Sequence, residues 1–383
     1  MTTPSQSKKL PVNPSFEHLQ KQAKRRAKQS PALQLSDIQF QIAREYGCKT
    51  WTELKQRVAT MSRRHDLAPQ KNYEPLPKAA RACDTAMVRR LLRESDFTQH
   101  DLDQSLAHAL WYGDDAAWPE RRALADLLLD HGADPDGQYG SGGYGPIVFG
   151  TGECLRPLAL EYLIAAGADV SFGPVQTKYG LQCPLSYALG TYLRGRNADK
   201  HRYIDLLLSH GGYRPESVTL PMLAIHRGDA RQLGELLDRE PSLVARTFST
   251  MPFGNMTLRG GTLLHSAVEF GENGCIDELL RRGANINAPA EIIDGLGGQP
   301  PVFHAIATNC DGNFGTLEHL AKQAGQTIDM TVRATWRRFG TPQVTPLTPL
   351  EFAEQAARGD DASRRTKIAE ERALLQALAA KQK

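Results

Sequence analysis

Thr262-Leu263-Leu264-His265-Ser266-Ala267 is the stretch of sequence that decides the fold, together with Gly283-Ala284-Asn285-Ile286-Asn287, which follows it. Between the two, Ile276 and Leu279 have the spacing of one face of a helix. Glycine is favoured where a helix ends, because the chain adopts a left-handed conformation there in which a Cβ is unfavourable. The stretch therefore predicts two short helices joined near Gly271, with Gly283 ending the second.

Similar stretches recur along most of the chain. Leucine-rich helix ends that run into glycine occur at 127–134, 162–170 and 206–212, and a version that ends in proline occurs at 236–244. Openings comparable with 262–267 give repeat starts at residues 74, 104, 145, 182, 219, 262, 300 and 348. Most intervals between these starts exceed the ~33 residues of a common helix-pair repeat. The additional residues are therefore predicted to lie in loops.

The unit at 262–287 resembles the ankyrin repeat, whose first helix opens with Thr-Pro-Leu-His-x-Ala. Leu263 stands in place of the proline, and Gly-Ala-Asn-Ile-Asn replaces the family's Gly-Ala-Asp-Val-Asn. The resemblance extends over about residues 74 to 360, and the helical leader at 35–58 is similar to that of irregular bacterial ankyrin-repeat proteins. The resemblance implies that the side chain of His265 hydrogen-bonds neighbouring loops.

The expected fold is an all-α solenoid of about eight helix-turn-helix repeats with long inter-repeat loops. Stacked repeats share a core, and each terminal repeat needs a cap over its apolar flank. We therefore expect three segments: a basic N-terminal helical cap at 1–71, ankyrin-like repeats at 72–361 and a C-terminal capping helix at 362–383.

Residues 1–71, here called the head, carry 14 basic and 5 acidic side chains, a net charge of +9, whereas the rest of the chain carries −6. Three helices are predicted in the head: one from Ser15 to Gln29, one after a capping box at 36–39 and ended by Gly47, and one after a second capping box at 50–53. We interpret the head as a structural cap. The alternative is nucleic-acid binding through its basic helices, with an affinity that falls steeply as salt rises.

The composition argues against a membrane or secreted protein. No run reaches the ~18 apolar residues that a membrane helix requires, and the N-terminus lacks the apolar core of a secretory signal. The six cysteines are scattered without a Cys-x-x-Cys pair, which is typical of reduced thiols in a cytoplasm. A cytoplasmic protein is expected.

No motif predicts a catalytic residue, a cofactor or a metal. Residues 140–145 fit Gly-x-Gly-x-x-Gly by letter, but the dinucleotide fingerprint needs a preceding strand and a helix directly after it, so we interpret them as an inter-repeat loop. His304, Cys310 and Asp311 could form a cluster, but their spacing fits no standard metal site.

The long inter-repeat loops carry the candidate binding residues. Tyrosine, tryptophan and arginine dominate interface energetics, and loops commonly carry function while a rigid scaffold positions them. A hairpin is also predicted around 328–342, with an exposed aromatic and arginine-rich tip at 336–340. The candidate partner-binding residues are Tyr139, Tyr144, Phe172, Tyr179, Phe253, Arg259, Trp336, Arg337 and Arg338.

The resemblance implies a non-enzymatic scaffold, adaptor or inhibitor that binds a protein partner through its concave face and loop tips. The acidic repeat segment favours a partner with a basic patch. Two alternatives remain at this point: an enzyme whose site is built from loops in the concave groove, and nucleic-acid binding through the head. Fold alone does not decide among them.

Overall fold

The computed structural model describes most of the chain, and every structural statement below concerns that part. It comprises residues 8, 10, 16–30, 33–65, 75–113, 115–140, 145–177, 180–249, 251, 258–310, 315–323, 327–338, 341–356 and 362–381. Within these residues no helix combines the length and the apolar character needed to cross a membrane.

The head forms three helices with a core of their own. They are α1 (Phe16–Gln29), α2 (Leu35–Glu45) and α3 (Trp51–His65). The buried residues of this core, among them Leu19, Ile42 and Leu54, all belong to the head. Whether the head caps the first repeat therefore stays a prediction.

Two of the predicted helix-end residues of the head are found where expected, and one predicted capping box is displaced. Gly47 has a φ of 73° after α2, and the Thr50 hydroxyl accepts a hydrogen bond from the Glu53 amide at 3.1 Å, as predicted. The predicted box at 36–39 is wrong, because α2 begins at Leu35. There the Asp37 carboxylate accepts from the amide of Gln34 at 3.2 Å instead.

Eight helix pairs follow in the described part of the chain, which confirms the predicted all-α repeat fold. The predicted starts match the first helices closely, except that the second begins five residues before 104, at Gln99. The pairs are α4 (Pro75–Arg81) with α5 (Thr85–Glu94), α6 (Gln99–Trp111) with α7 (Trp118–Asp130), α8 (Ile147–Glu153) with α9 (Pro157–Ala165), α10 (Pro184–Leu189) with α11 (Asn197–Ser209), α12 (Leu220–His226) with α13 (Ala230–Arg239), α14 (Leu263–Phe270) with α15 (Asn273–Arg281), α16 (Pro301–Cys310) with α17 (Thr316–Ala321), and α18 (Pro349–Ala356) with α19 (Ala362–Ala380).

The chain divides into two compact units, which are described separately. The first unit contains residues 1–184 and 210–213, and the second contains residues 185–209 and 214–383. The division into a cap, repeats and a capping helix stays a prediction.

Side-chain oxygens link consecutive repeats within each unit. In the first unit, Asp103 accepts a hydrogen bond from the amide of Asp134 at 2.7 Å, and Asp136 accepts from Asp169 at 2.8 Å. In the second, Asn287 accepts from the amide of Asp329 at 2.8 Å. These bonds satisfy backbone donors that would otherwise lack partners between the helix pairs.

Among the described residues, four short antiparallel hairpins lie in the loops between repeats. Three have strands too short for a periodic pattern, and the sequence did not predict them. The hairpins are β1 (Gln138–Tyr139) with β2 (Gly145–Pro146), β3 (Val175–Thr177) with β4 (Gly180–Gln182), β5 (Thr247–Phe248) with β6 (Gly261–Thr262), and β7 (Ala334–Arg338) with β8 (Thr341–Leu347). Tyr139 pairs with Gly145 in the first of these hairpins, and residues 141–144 of the glycine-rich segment lie outside the described residues.

The predicted hairpin near 328–342 is present, but its boundaries differ. Trp336 lies inside β7, opposite Gln343, rather than at the tip. Its side chain is 2% exposed, so the expectation of an exposed Trp336 is wrong. Alternate positions of a strand face opposite sides, and both Ala334 and Trp336 point into the core. At the free edge of this hairpin, β8 carries Pro342 and Pro346.

Candidate functional site

Three inter-repeat segments of the second unit are joined by backbone hydrogen bonds. The described residues of 247–262, 288–299 and 334–347 are here called the loop row. The amide of Glu291 donates to the carbonyl of Gly260 at 2.9 Å. Gly297 and Thr335 exchange two hydrogen bonds of 3.1 Å through their amides and carbonyls. Each loop therefore supports the next.

Glycine makes the close approach between these loops possible. Gly297 has a φ of 147°, and a Cβ built on it would overlap the carbonyl oxygen of Glu291. Gly260 has a φ of 80°, and a Cβ there would lie 3.0 Å from the amide nitrogen of Glu291. Ordinary side chains at these two positions would push the loops apart.

The loop row presents apolar side chains to solvent. Ile292 is 74% exposed and Val344 is 68% exposed. Ile292 precedes a tight turn in which Asp294 and Gly295 have φ values of 55° and 74°. Arg259 is also exposed and pairs with Asp294 at 3.3 Å. Because the backbone of the row is held by hydrogen bonds, these side chains have defined positions.

Aromatic side chains attach the loop row to the inner helices of the repeats. The Trp336 ring lies 5.2 Å from the Phe303 ring and 4.8 Å from the Phe352 ring. Burial of an aromatic side chain contributes roughly 1.5–3 kcal/mol, so Trp336 fixes the hairpin to the inner helices α16 and α18. Its role in the fold is structural.

His265 connects two segments of the row, as the repeat resemblance implies. Its Nδ1 accepts from the amide of Thr262 at 3.0 Å, and its Nε2 donates to the carbonyl of Gln299 at 3.0 Å. Burial, together with the charge of the nearby His304 ring, lowers the pKa of His265 to about 3. The imidazole therefore stays neutral, with each nitrogen in one fixed role.

A network of buried charges lies beside the inner helices of the second unit. Arg194 Nη2 donates to Glu269 Oε1 at 3.0 Å, and His304 Nδ1 lies 2.8 Å from Glu269 Oε2. Lys200 Nζ pairs with Glu272 at 2.6 Å. We call these five residues the buried charge network. His304 thus pairs with Glu269, whereas the side chains of Cys310 and Asp311 lie outside the described residues.

Opposite charges keep both carboxyl groups of the network ionised. Burial alone raises the pKa of Glu269, but the hydrogen bond from His304 and the charge of Arg194 bring its pKa below the ordinary value. Lys200 and His201 lower the pKa of Glu272 in the same way against the effect of burial. Both carboxylates are engaged internally and shielded from solvent, which is typical of structural ion pairs.

His226 lies beside this network without a hydrogen-bond partner on either ring nitrogen among the described residues. Its ring packs 4.3 Å from the ring of Phe270. Burial lowers its pKa well below the ordinary value, and the charges of Lys200 and Arg194 lower it further. A neutral imidazole is the form that this position accepts.

The first unit contains a half-buried group of aromatic rings beside an exposed arginine. The Arg81 guanidinium lies 4.2 Å from the centre of the Tyr112 ring, and the Tyr139 ring lies 4.2 Å from the Trp111 ring. His108 lies between the two pairs, 5.5 Å from Tyr112 and 5.8 Å from Tyr139. These five residues are called the arginine–aromatic cluster.

The tautomer of His108 follows from its partners. Its Nδ1 lies 2.9 Å from the carbonyl oxygen of Pro77, which can only accept, so Nδ1 carries the proton. Nε2 then accepts from the hydroxyl of Tyr139 at 3.4 Å. Burial lowers the pKa of His108, and the charge of Arg81 lowers it too.

The predicted binding residues differ in their exposure and surroundings. Tyr139 is half-buried in the arginine–aromatic cluster, Phe172 is half-buried 5.9 Å from the Phe149 ring, and Arg259 is exposed. Trp336 is buried, as described above. Tyr144, Tyr179 and Phe253 lie outside the described residues, as do the side chains of Arg337 and Arg338, whose backbone belongs to β7.

Sequence reasoning missed several residues that stand out in the structure. Leu181 in β4 is 67% exposed, and its position directly after Gly180 could have indicated it. The buried charge network had no such signal, because 75 residues separate Arg194 from Glu269. Among the described side chains, no group of three or more histidine, cysteine, aspartate or glutamate residues could hold a metal ion.

Comparison with known proteins identifies one repeat directly. The ankyrin-repeat family model matches residues 259–291, which contain α14, α15 and the loops on either side. Among solved structures, the human ASB11 ankyrin repeat domain is similar at 15% identity, covering 77% of this chain and 96% of that chain, with a TM-score of 0.28. That score is too low to bear on the arrangement of the repeats. No curated protein matches the chain in sequence.

Proposed function

Since this chain is an ankyrin-repeat protein, we propose that it is a non-enzymatic adaptor or inhibitor that binds a protein partner in the cytoplasm. Ankyrin repeats are generally modules of protein–protein interaction. The observation that carries the proposal is the loop row, in which Ile292 and Val344 are exposed on loops whose backbones are hydrogen-bonded together.

Exposed aliphatic side chains on a fixed backbone are well suited to a protein interface. Association is opposed by the ordering of flexible loops, and loops that are already ordered avoid part of this cost. Ile292 and Val344 supply apolar contact area, and Arg259 supplies a polar contact near Ile292. Contacts of this kind form the centre and the rim of typical interfaces.

The state of the buried polar groups favours binding over catalysis. In the second unit, Glu269 and Glu272 are held in ion pairs, and His265 is hydrogen-bonded on both nitrogens. A general acid or base must reach the substrate within hydrogen-bonding distance. These buried groups instead hold the inner helices together.

The cytoplasmic location is supported by the cysteines. Cys48, Cys83 and Cys275 are present as thiols. Reduced thiols are typical of cytosolic proteins.

Affinity capture with matched variants tests the proposal. The full chain would be used to capture partners from native lysate, beside an Ile292→Ser/Val344→Ser variant and a Phe40→Ser control, which removes a 53% exposed apolar side chain of the head. We expect one protein to be retained at a fixed ratio by the wild type and the control. The double variant should bind the purified protein at least about tenfold more weakly.

Two outcomes would contradict the proposal. One is that the wild type retains no protein, whereas nucleic acid or a small metabolite co-purifies with it. The other is equal retention of the same protein by all three chains, which would exclude the loop row as the contact surface.

A further inference from the structure

Arg81 is an exposed cation held in a fixed position. It is the last residue of α4, and its guanidinium lies on the face of the Tyr112 ring at 4.2 Å. This stacking restricts the side chain and leaves the planar fork of donors at its edge available. Among the described residues, no carboxylate forms an ion pair with Arg81.

A second arginine lies behind the first and also lacks a carboxylate among the described residues. Arg121 is 6% exposed. It donates to the carbonyls of Ala109 at 3.2 Å and of Arg81 at 3.3 Å, and a Cβ at Gly113 would overlap its guanidinium. Backbone carbonyls accept from its two Nη atoms but do not neutralise its charge, and its buried Nε has no hydrogen-bond partner among the described residues. A buried charge that has no carboxylate partner among the described residues favours an anion nearby.

The described acidic groups closest in sequence, Asp84 and Asp115, are engaged elsewhere, and Asp114 lies outside the described residues. Asp84 caps α5 by accepting from the amide of Met87 at 2.9 Å. Asp115 pairs with Arg156 at 3.4 Å. Lys78, one turn before Arg81 on α4, is exposed and adds a further positive charge. The described side chains around Arg81 therefore carry a net positive charge, although the chain after residue 71 carries a net charge of −6.

We infer that the arginine–aromatic cluster binds an acidic side chain of the protein partner. The Arg81 fork would hold the carboxylate through two parallel hydrogen bonds, which is the geometry that a guanidinium offers and an ammonium does not. The half-buried rings of Tyr112, Trp111 and Tyr139 would contact the aliphatic part of the bound segment. The inference rests on the proposed function and specifies the chemistry of the partner.

A peptide-binding measurement tests this inference without the partner. The probe is a short fluorescein-labelled peptide of alternating glutamate and glycine, titrated with the full chain and followed by fluorescence anisotropy. We expect Arg81→Ala to weaken binding by about tenfold or more. Arg81→Lys should restore little of it, because lysine lacks the planar fork. The matched control is Arg93→Ala, which removes an exposed arginine from α5 of the same repeat.

Two comparisons complete the design. The same peptide with glutamine in place of glutamate should bind at least about tenfold more weakly to the wild-type chain. Thermal unfolding of Arg81→Ala should match that of the wild type, because the side chain is exposed.

Several results would overturn the inference. They are equal binding by Arg81→Ala and Arg93→Ala, equal binding of the glutamine peptide, and an Arg81-dependent preference for a phosphoserine peptide or an oligonucleotide over the glutamate peptide. If the inference fails in this way while the Ile292→Ser/Val344→Ser variant still loses a protein partner, the proposed function stands without it.

Discussion

Glu269 shows how much one buried residue contributes to the stability of the second unit. It is fully buried and is paired with Arg194 on one oxygen and with His304 on the other. Removing one member of a buried ion pair leaves the other charge without compensation. The second unit therefore depends on Glu269 more than on any exposed ion pair.

We predict that Glu269→Ala lowers the free energy of unfolding by about 3–5 kcal/mol, because it leaves the charge of Arg194 buried and unpaired. Urea unfolding of the full chain measures the change. The control Glu235→Ala breaks an exposed pair with Arg231 and should cost about 1 kcal/mol or less. Equal losses in the two variants would contradict the structural role of the network.

The exposure of individual side chains was the least predictable property at this scale. Trp336 stands beside two arginines in a long insertion, and that composition favoured an exposed tip. The alternation of β7 decides the outcome instead, because Ala334 and Trp336 share the buried face, from which the Trp336 ring packs on Phe303 and Phe352. His265 was predictable, because the repeat resemblance specifies its role.

At the scale of the elements, the close packing of the three segments in the loop row depends on Gly260 and Gly297 more than on the short strands. Gly297 brings its loop close to Glu291 and exchanges hydrogen bonds with Thr335. The row consequently behaves as one element assembled from three loops.

We predict that Gly297→Ala separates this loop from its neighbours, because the new Cβ would overlap the carbonyl of Glu291 and the φ of 147° is unfavourable for alanine. Hydrogen exchange should show a loss of protection at the Thr335 amide, which donates to Gly297. In Gly274→Ala, the Cβ meets Ala230 at an ordinary 3.6 Å inside α15, and protection should be retained. Unchanged protection in Gly297→Ala would show that the row tolerates a side chain there.

The helix pairs were predictable from sequence, whereas the connections between them were not. Leucine spacing followed by a glycine, as at Gly132, Gly167 and Gly283, specifies a helix and its end locally, and all three glycines have positive φ values. The hairpins β1–β2, β3–β4 and β5–β6 have two or three residues in each strand, which is too few for a periodic signal.

At the scale of the whole molecule, the buried ionisable groups make stability depend on pH. His265 has its pKa lowered from 6.5 to about 3, so between these values the unfolded chain binds a proton that the folded chain does not. Stability therefore falls as the pH falls through this window. The lowered pKa values of Glu269 and Glu272 act in the same direction at lower pH, because their contribution is present above the ordinary carboxyl pKa and is lost on protonation.

We predict that the free energy of unfolding decreases on acidification below pH 6.5, with His265 contributing about 1.4 kcal/mol for each pH unit. Urea unfolding at a series of pH values measures this slope. The slope should be smaller in His265→Asn, which lacks the titrating group, and unchanged in the control His100→Asn, whose side chain is exposed. An identical slope in all three chains would exclude His265 as the source.

The prolines of β8 protect the exposed edge of this strand against aggregation. An exposed strand edge is a template for pairing with another chain, and edge-to-edge pairing leads to aggregation. Proline has no amide hydrogen, so Pro342 and Pro346 interrupt the row of donors on either side of the exposed Val344. The strand can thus offer an apolar contact to a partner while a second copy of itself finds no continuous edge to extend.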